Sequence, residues 1–285
     1  MVAWLSLRAL PEVRRPPALL LVLTFMAMAK FYAHELVLGQ VNMLFAVLAA
    51  LVLVWMMRGR DAGAGLLLAL AAVVKPYAAI FAPWLLTRRR RTAFVAMMAG
   101  LAVLLLLPVV RYGWQGNLTL LQSWWQTVAS TTVPNLANQD NVSLGAAFAR
   151  WMGGPGPAAS LLAAATAGIL LLLAGIVIAG RGALRAPEAL EGGLLLLLIP
   201  LLSPQGWDYV LLIATPAVML LLNYLAALPP RLRFAAGGAI ALTALLIYDI
   251  VGRDVYGMLM RLSIVTICAT IEIAALVALR FRRVA

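Results

Sequence analysis

The chain alternates long apolar runs with short polar breaks. The runs cover Pro17–Ala29, Gly39–Met57, Thr92–Val110, Pro157–Ala179, Gly192–Leu202, Tyr209–Ala226, Phe234–Tyr248 and Gly257–Leu279. About 20 apolar residues at 1.5 Å rise match a hydrocarbon core of about 30 Å, so the runs read as membrane-crossing helices, the shorter ones borrowing flanking residues. Two further pieces, Ala62–Val74 and Tyr77–Leu86, are too short to cross and flank Lys75 and Pro76. Proline breaks a helix, so this pattern predicts a hairpin with its tip inside or beyond the membrane centre, buried in protein or lining a cavity. The prediction is an all-α, polytopic transmembrane helix bundle of about eight full spans plus the broken Lys75–Pro76 hairpin. It forms one integral membrane domain, 1–285, with a long extracytoplasmic loop at about 111–156. Within that loop Leu118, Leu121, Trp124, Trp125 and Val128 fall near helical spacing, as in a helix lying at headgroup level.

Composition strengthens the membrane reading. Of the 285 residues 65% are hydrophobic and 11% charged, against about 25% charged in soluble domains. The formal charge of +12 would point to nucleic acid in a soluble protein. Here the arginines sit at the ends of apolar runs, where they set topology, and no nucleic-acid motif accompanies them. One cysteine, Cys268, and one histidine, His34, cannot supply a four-ligand zinc site, so no metal or cofactor is expected. Residues 1–17 carry Arg8, Arg14 and Arg15 and lead into the first run without a small-residue cleavage site, so that run reads as a retained anchor.

Charge also orients the spans. With the N-terminus cytoplasmic and one crossing per long run, the cytoplasmic turns hold Arg8, Arg14, Arg15, Arg58, Arg60, Arg88–Arg91, Arg181, Arg185, Arg231, Arg233, Arg280, Arg282 and Arg283. The other face keeps Lys30, Lys75, Arg111, Arg150, Arg253 and Arg261. The positive-inside rule prefers this arrangement, with both termini cytoplasmic in a multi-pass inner (plasma) membrane protein.

The unusual polar residues then gather on the extracytoplasmic side: Lys30, His34, Glu35, Gln40 and Asn42; Asn138–Asn141 and Ser143; Ser203, Gln205, Trp207 and Asp208; Asp249 and Asp254. Ionisable groups in or beside a membrane are costly and mark function by default. Amides, carboxylates and aromatics lining one cavity suit a sugar, which needs hydrogen bonds to its hydroxyls and flat apolar faces for stacking.

Five motifs occur in order: Gly39-Gln40-Val41-Asn42; Ala62-Gly63-Ala64-Gly65 followed by Lys75-Pro76; the run Arg88–Arg91; Asn141-Val142-Ser143-Leu144; and Ser203-Pro204-Gln205-Gly206-Trp207-Asp208. In this order they resemble glycosyltransferase family 87 of the GT-C superfamily, the polyprenyl-phosphate-mannose-dependent mannosyltransferases, over roughly Lys30 to Ala226. The resemblance implies a GT-C-like bundle that moves a hexose, mannose, from a polyprenyl-phosphate carrier to the hydroxyl of a glycolipid or glycan acceptor, with inversion, at the extracytoplasmic face. Membrane lipid is the surrounding partner. Such a reaction needs a base within reach of the acceptor hydroxyl and positive charge or donors at the departing phosphate.

The aspartate that the family carries on its first extracytoplasmic loop has no counterpart, because the chain before Gly39 is short, as if the N-terminal part were missing. The base would then be Asp208 first, with Glu35 and Asp140 behind it. Lys75 is the candidate phosphate contact, and Gln40, Asn42, His34, Asn141, Ser143 and Trp207 the candidate substrate contacts. The competing assignments are a snorkelling Lys75, interhelical hydrogen bonds for Gln40 and Asn42, and a turn or helix cap for Asn141. A transporter or lipid flippase also fits broken helices and midplane polar groups, although no second copy of either motif is visible. A truncated non-catalytic relative is the third reading.

Overall fold

The computed structural model describes residues 1–136, 138–180 and 187–282. Arg181, Arg185 and Arg283, counted above among the cytoplasmic arginines, lie outside these. The chain folds into α1 (Val2–Arg8), α2 (Pro17–Val37), α3 (Asn42–Met57), α4 (Asp61–Val74), α5 (Phe81–Thr87), α6 (Arg91–Leu106), α7 (Val109–Leu136), α8 (Leu144–Trp151), α9 (Pro157–Ala179), α10 (Pro187–Leu202), α11 (Thr215–Tyr224), α12 (Pro230–Leu245), α13 (Tyr248–Val251), α14 (Arg253–Arg261) and α15 (Ile264–Phe281). Tight 3-10 turns precede α5 at Pro76–Ile80 and α11 at Asp208–Ala214. Among the described residues the β pairing is one isolated antiparallel bridge between Asn141 and Trp207.

Among the described residues four helical stretches are long and apolar enough to cross a membrane: Pro17–Val37, Pro157–Ala179, Asp208–Ala227 and Ile264–Phe281. A fifth, Arg91–Leu106 with Val109–Thr132, bends by 91°. Helix length therefore supports four to five crossings against the eight expected. The difference lies in α3, α6, α10 and α12, which have 16 residues each. At 1.5 Å per residue that is about 24 Å, short of a full hydrocarbon core.

α10 is the axis of the bundle. Every residue from Ala189 to Leu201 is buried, as expected for a helix apolar on all sides. Lipid tails are as apolar as leucine, so such helices associate through close packing rather than escape from water. Small residues at the contacts make this possible. A Cβ at Gly65 on α4 would strike the Ala93 carbonyl of α6, which gives the Ala62–Gly65 motif a packing role.

The arginine-rich end is fastened by ion pairs. Glu191 of α10 is fully buried and accepts from Trp84 Nε1 at 2.8 Å and Arg88 Nε at 2.6 Å, and a second Arg88 nitrogen reaches its other oxygen. Arg280 stands 3.9 Å away, and Arg90 joins Asp61 at 3.2 Å and Glu188 at 2.7 Å. This ties α4, α5, α10 and α15 together at one end and leaves the opposite end, where α2 stops and α15 starts, for the polar residues.

Candidate functional site

At the opposite end the chain segments around 140 and 207 meet as a short antiparallel pair. The Val142 amide donates to the Gly206 carbonyl at 2.6 Å, and the Asp208 amide donates to the Asp140 carbonyl at 2.9 Å. Gly206 is required for this approach, because a Cβ there would enter the Pro200 carbonyl. Asn141 locks the pair: its amide nitrogen donates to the carbonyls of Asn135 (3.0 Å) and Pro204 (2.9 Å), and its oxygen accepts from the Ser143 amide (3.0 Å). Ser143 Oγ in turn accepts from the Ala146 amide at 3.2 Å and caps α8. Two acidic residues 68 positions apart in sequence, Asp140 and Asp208, are thereby joined through their backbones.

The last turns of α2 supply the cations. Lys30 Nζ stands 3.5 Å from Asp208 Oδ2 and His34 Nδ1 3.0 Å from Asp208 Oδ1. Lys30 and His34 lie four residues apart and so share one helix face. The Asp208 side chain is fully buried and that of Lys30 is 8% exposed. Neither contact has the alignment of a hydrogen bond, and among the described residues both carboxylate oxygens and the ammonium lack a hydrogen-bonded partner. A buried carboxylate and ammonium are sustainable as a pair, and here they keep capacity for a further polar group.

Asp140 is half-buried. It lines a cavity of about 290 Å³ together with His34, Leu38, Gln40, Trp207 and Tyr209. Trp207 and Tyr209 stack with planes 6° apart, and Tyr209 meets the His34 ring edge-on at 5.3 Å. Tyr256 of α14 donates its hydroxyl to Asp140 Oδ1 at 3.2 Å, and Lys30 Nζ lies 5.7 Å from the centre of its ring. Burial, and then the charges of Asp208 and Asp140, push the Tyr256 hydroxyl well above the ordinary phenol range. It therefore stays a donor. Arg150 of α8 donates to the carbonyls of Asn141 (2.8 Å) and Asn138 (3.2 Å).

The structure separates the sequence candidates into two groups. His34, Asp140, Gln40 and Trp207 line the cavity, and Asp208 lies behind it against Lys30 and His34. Glu35, Asn42, Asn141 and Ser143 are buried and hydrogen-bonded within the chain. Glu35 accepts from Asn42 Nδ2 at 2.9 Å and from the Met43 amide at 3.0 Å, which closes the turn from α2 to α3. Asn42 Oδ1 accepts from the Tyr77 hydroxyl at 2.6 Å, so the Lys75–Pro76 tip is bound to that turn. Lys75 is partly exposed there, close enough for the Glu35 charge to act on it. Lys30 belongs to the site though only its neighbours were nominated. Tyr209 and Tyr256 were not legible: a tyrosine beside an apolar run looks like any interfacial aromatic.

α7 runs beside this end, with Trp124 and Trp125 exposed. It is bound to the loop before the Asn141–Trp207 bridge where Gln205 Nε2 donates to Thr131 Oγ1 at 3.0 Å.

The sequence model of glycosyltransferase family 87 matches residues 1–204. No curated protein matches the chain, and no solved structure does.

Proposed function

Because the chain belongs to glycosyltransferase family 87 and is a membrane glycosyltransferase, we propose that the cavity around Asp140 is where it transfers a hexose, mannose, from a polyprenyl phosphate to an acceptor hydroxyl. The observation that carries this reading is the cluster itself: a half-buried carboxylate in a cavity, beside a partly exposed His34 and a buried Lys30–Asp208 pair that keeps unfilled hydrogen-bonding capacity among the described residues. The arginine-rich end faces the cytoplasm by the positive-inside rule, and the cavity opens on the extracytoplasmic side of the inner membrane.

The acceptor oxygen attacks the anomeric carbon as the bond from that carbon to the phosphate oxygen breaks. The polyprenyl phosphate leaves with the electron pair, and the anomeric centre inverts. Asp140 takes the acceptor proton. It is preferred to Asp208 because a base must reach the hydroxyl, and Asp140 lines the cavity whereas Asp208 is enclosed by Lys30 and His34. Asp208 holds those two groups where a phosphate can meet them, and Lys75 approaches from the neighbouring hairpin tip. Negative charge that develops on the departing phosphate is stabilised by such preplaced donors. The stacked Trp207–Tyr209 pair offers an apolar face to the sugar ring. No step needs a metal, since the ammonium and imidazole supply the positive charge. A glycolipid or glycan would be the acceptor.

Membranes containing the protein, incubated with labelled polyprenyl-phosphate mannose, test this directly. The expected result is a new labelled glycolipid or glycan, absent from membranes lacking the protein. Transfer from a nucleotide sugar after depletion of the lipid carrier would refute the donor assignment.

A further inference from the structure

We propose that Tyr256 is a positioning residue that fixes the aim of Asp140, so that α14 completes a site most of whose other groups lie on α2 and on the segments around 140 and 207. The inference rests on the reading of Asp140 as the base. Tyr256 lies outside the residues that match the family, 1–204, and it is the one tyrosine whose hydroxyl meets Asp140 among the described residues.

Its placement is over-determined. α14 is framed by two left-handed positions, Gly252 (φ 84°) and Ser263 (φ 57°). Between them Tyr256 and Met260 are one turn apart on the face that turns inward, and Met260 is buried. Three hydrogen bonds dock the end of this segment on the site's frame. Arg150 Nε donates to Ser263 Oγ at 2.9 Å, Trp151 Nε1 to the Leu262 carbonyl at 3.2 Å, and Thr266 Oγ1 to the Val142 carbonyl at 2.8 Å. Gly257 lies against the Gln139 side chain, next to Asp140. The helix that carries the tyrosine is thus anchored at its C-terminal end on the frame that holds Asp140.

The contact does two things. The hydroxyl occupies Asp140 Oδ1 and leaves Oδ2 for the acceptor. The ring meanwhile stands beside the Lys30 ammonium, within the range of cation–π attraction. The charged and titratable groups around Asp140 are Lys30 and His34 from α2, Asp208 from the turn before α11, Arg150 from α8 and Tyr256 from α14. Of these, Tyr256 is the donor whose hydrogen bond reaches the carboxylate in the structure.

The test compares wild type, Tyr256→Phe, Tyr256→Leu and Asp140→Asn in membranes at matched protein levels, using labelled polyprenyl-phosphate mannose as donor over a range of concentrations. Phenylalanine keeps the ring beside Lys30 and removes the hydroxyl. It is expected to lower kcat about tenfold, the size of one charge-assisted hydrogen bond, with donor KM within twofold. Leucine also removes the ring and should raise donor KM. Tyr256→Phe with wild-type kcat, in a protein that Asp140→Asn inactivates, overturns the inference and leaves the proposed function standing. An Asp140→Asn variant as active as wild type overturns both.

Discussion

Removal of Glu191 should loosen the arginine-rich end of the bundle by an amount that can be worked out from its contacts. In Glu191→Ala, Trp84 Nε1 and Arg88 Nε lose their acceptor, and Arg88 and Arg280 are left as neighbouring guanidiniums with no carboxylate between them. Breaking a buried pair by removing one partner costs about 3–5 kcal/mol. The Arg88 side chain is 21% exposed, so water reaches part of it, and the lower limit, about 3 kcal/mol, is the better figure. At about 2–4 °C per kcal/mol for a chain of this size, the apparent melting temperature should fall by about 6–12 °C. The assay is the fraction of detergent-solubilised protein that survives heating and elutes as a monodisperse peak. Glu191→Met with Arg88→Met should recover most of the loss, because apolar replacement of a whole buried pair is often neutral. A single variant as stable as wild type, or a double variant no better than the single, would refute this account of the end cluster.

Two further outcomes concern the polar end. Asp208→Asn leaves the Lys30 ammonium unpaired in a buried position and releases His34; transfer should fall by about 10²–10⁴-fold, measured as initial rate at saturating donor. Lys75→Ala should lower the rate about 10–100-fold without loss of expression, the effect of one charged contact to phosphate; full activity would remove Lys75 from the site.

The sequence announced the bundle and the end at which polar groups collect, because both follow from local pattern: apolar run length, arginines at turns, and the proline that breaks the hairpin after Lys75. Asp208, His34 and Asp140 were visible as costly charges near apolar runs. What they do to one another was not visible, since the joining contacts are long-range. Tyr256 and Asp140 are 116 positions apart, and Trp84 and Glu191 are 107. Glu35 and Asn42 show the converse. A carboxylate and an amide near a turn look available for ligand until the structure shows each satisfied by the other and by Met43 and Tyr77. The span count is not confirmed for a related reason. An apolar run does not disclose whether its helix is 16 residues long and enclosed by neighbours, as α10 is, or 23 residues long and mostly exposed, as α9 is.

The central claim is that a carboxylate at the arginine-poor end removes the acceptor proton. Asp140→Asn keeps the shape of the side chain and an acceptor for Tyr256, but it cannot take the proton. Its transfer rate with labelled polyprenyl-phosphate mannose, at protein levels and thermal stability equal to wild type, should fall by about 10²–10⁴-fold while donor binding persists. A variant that turns over at the wild-type rate would contradict the account.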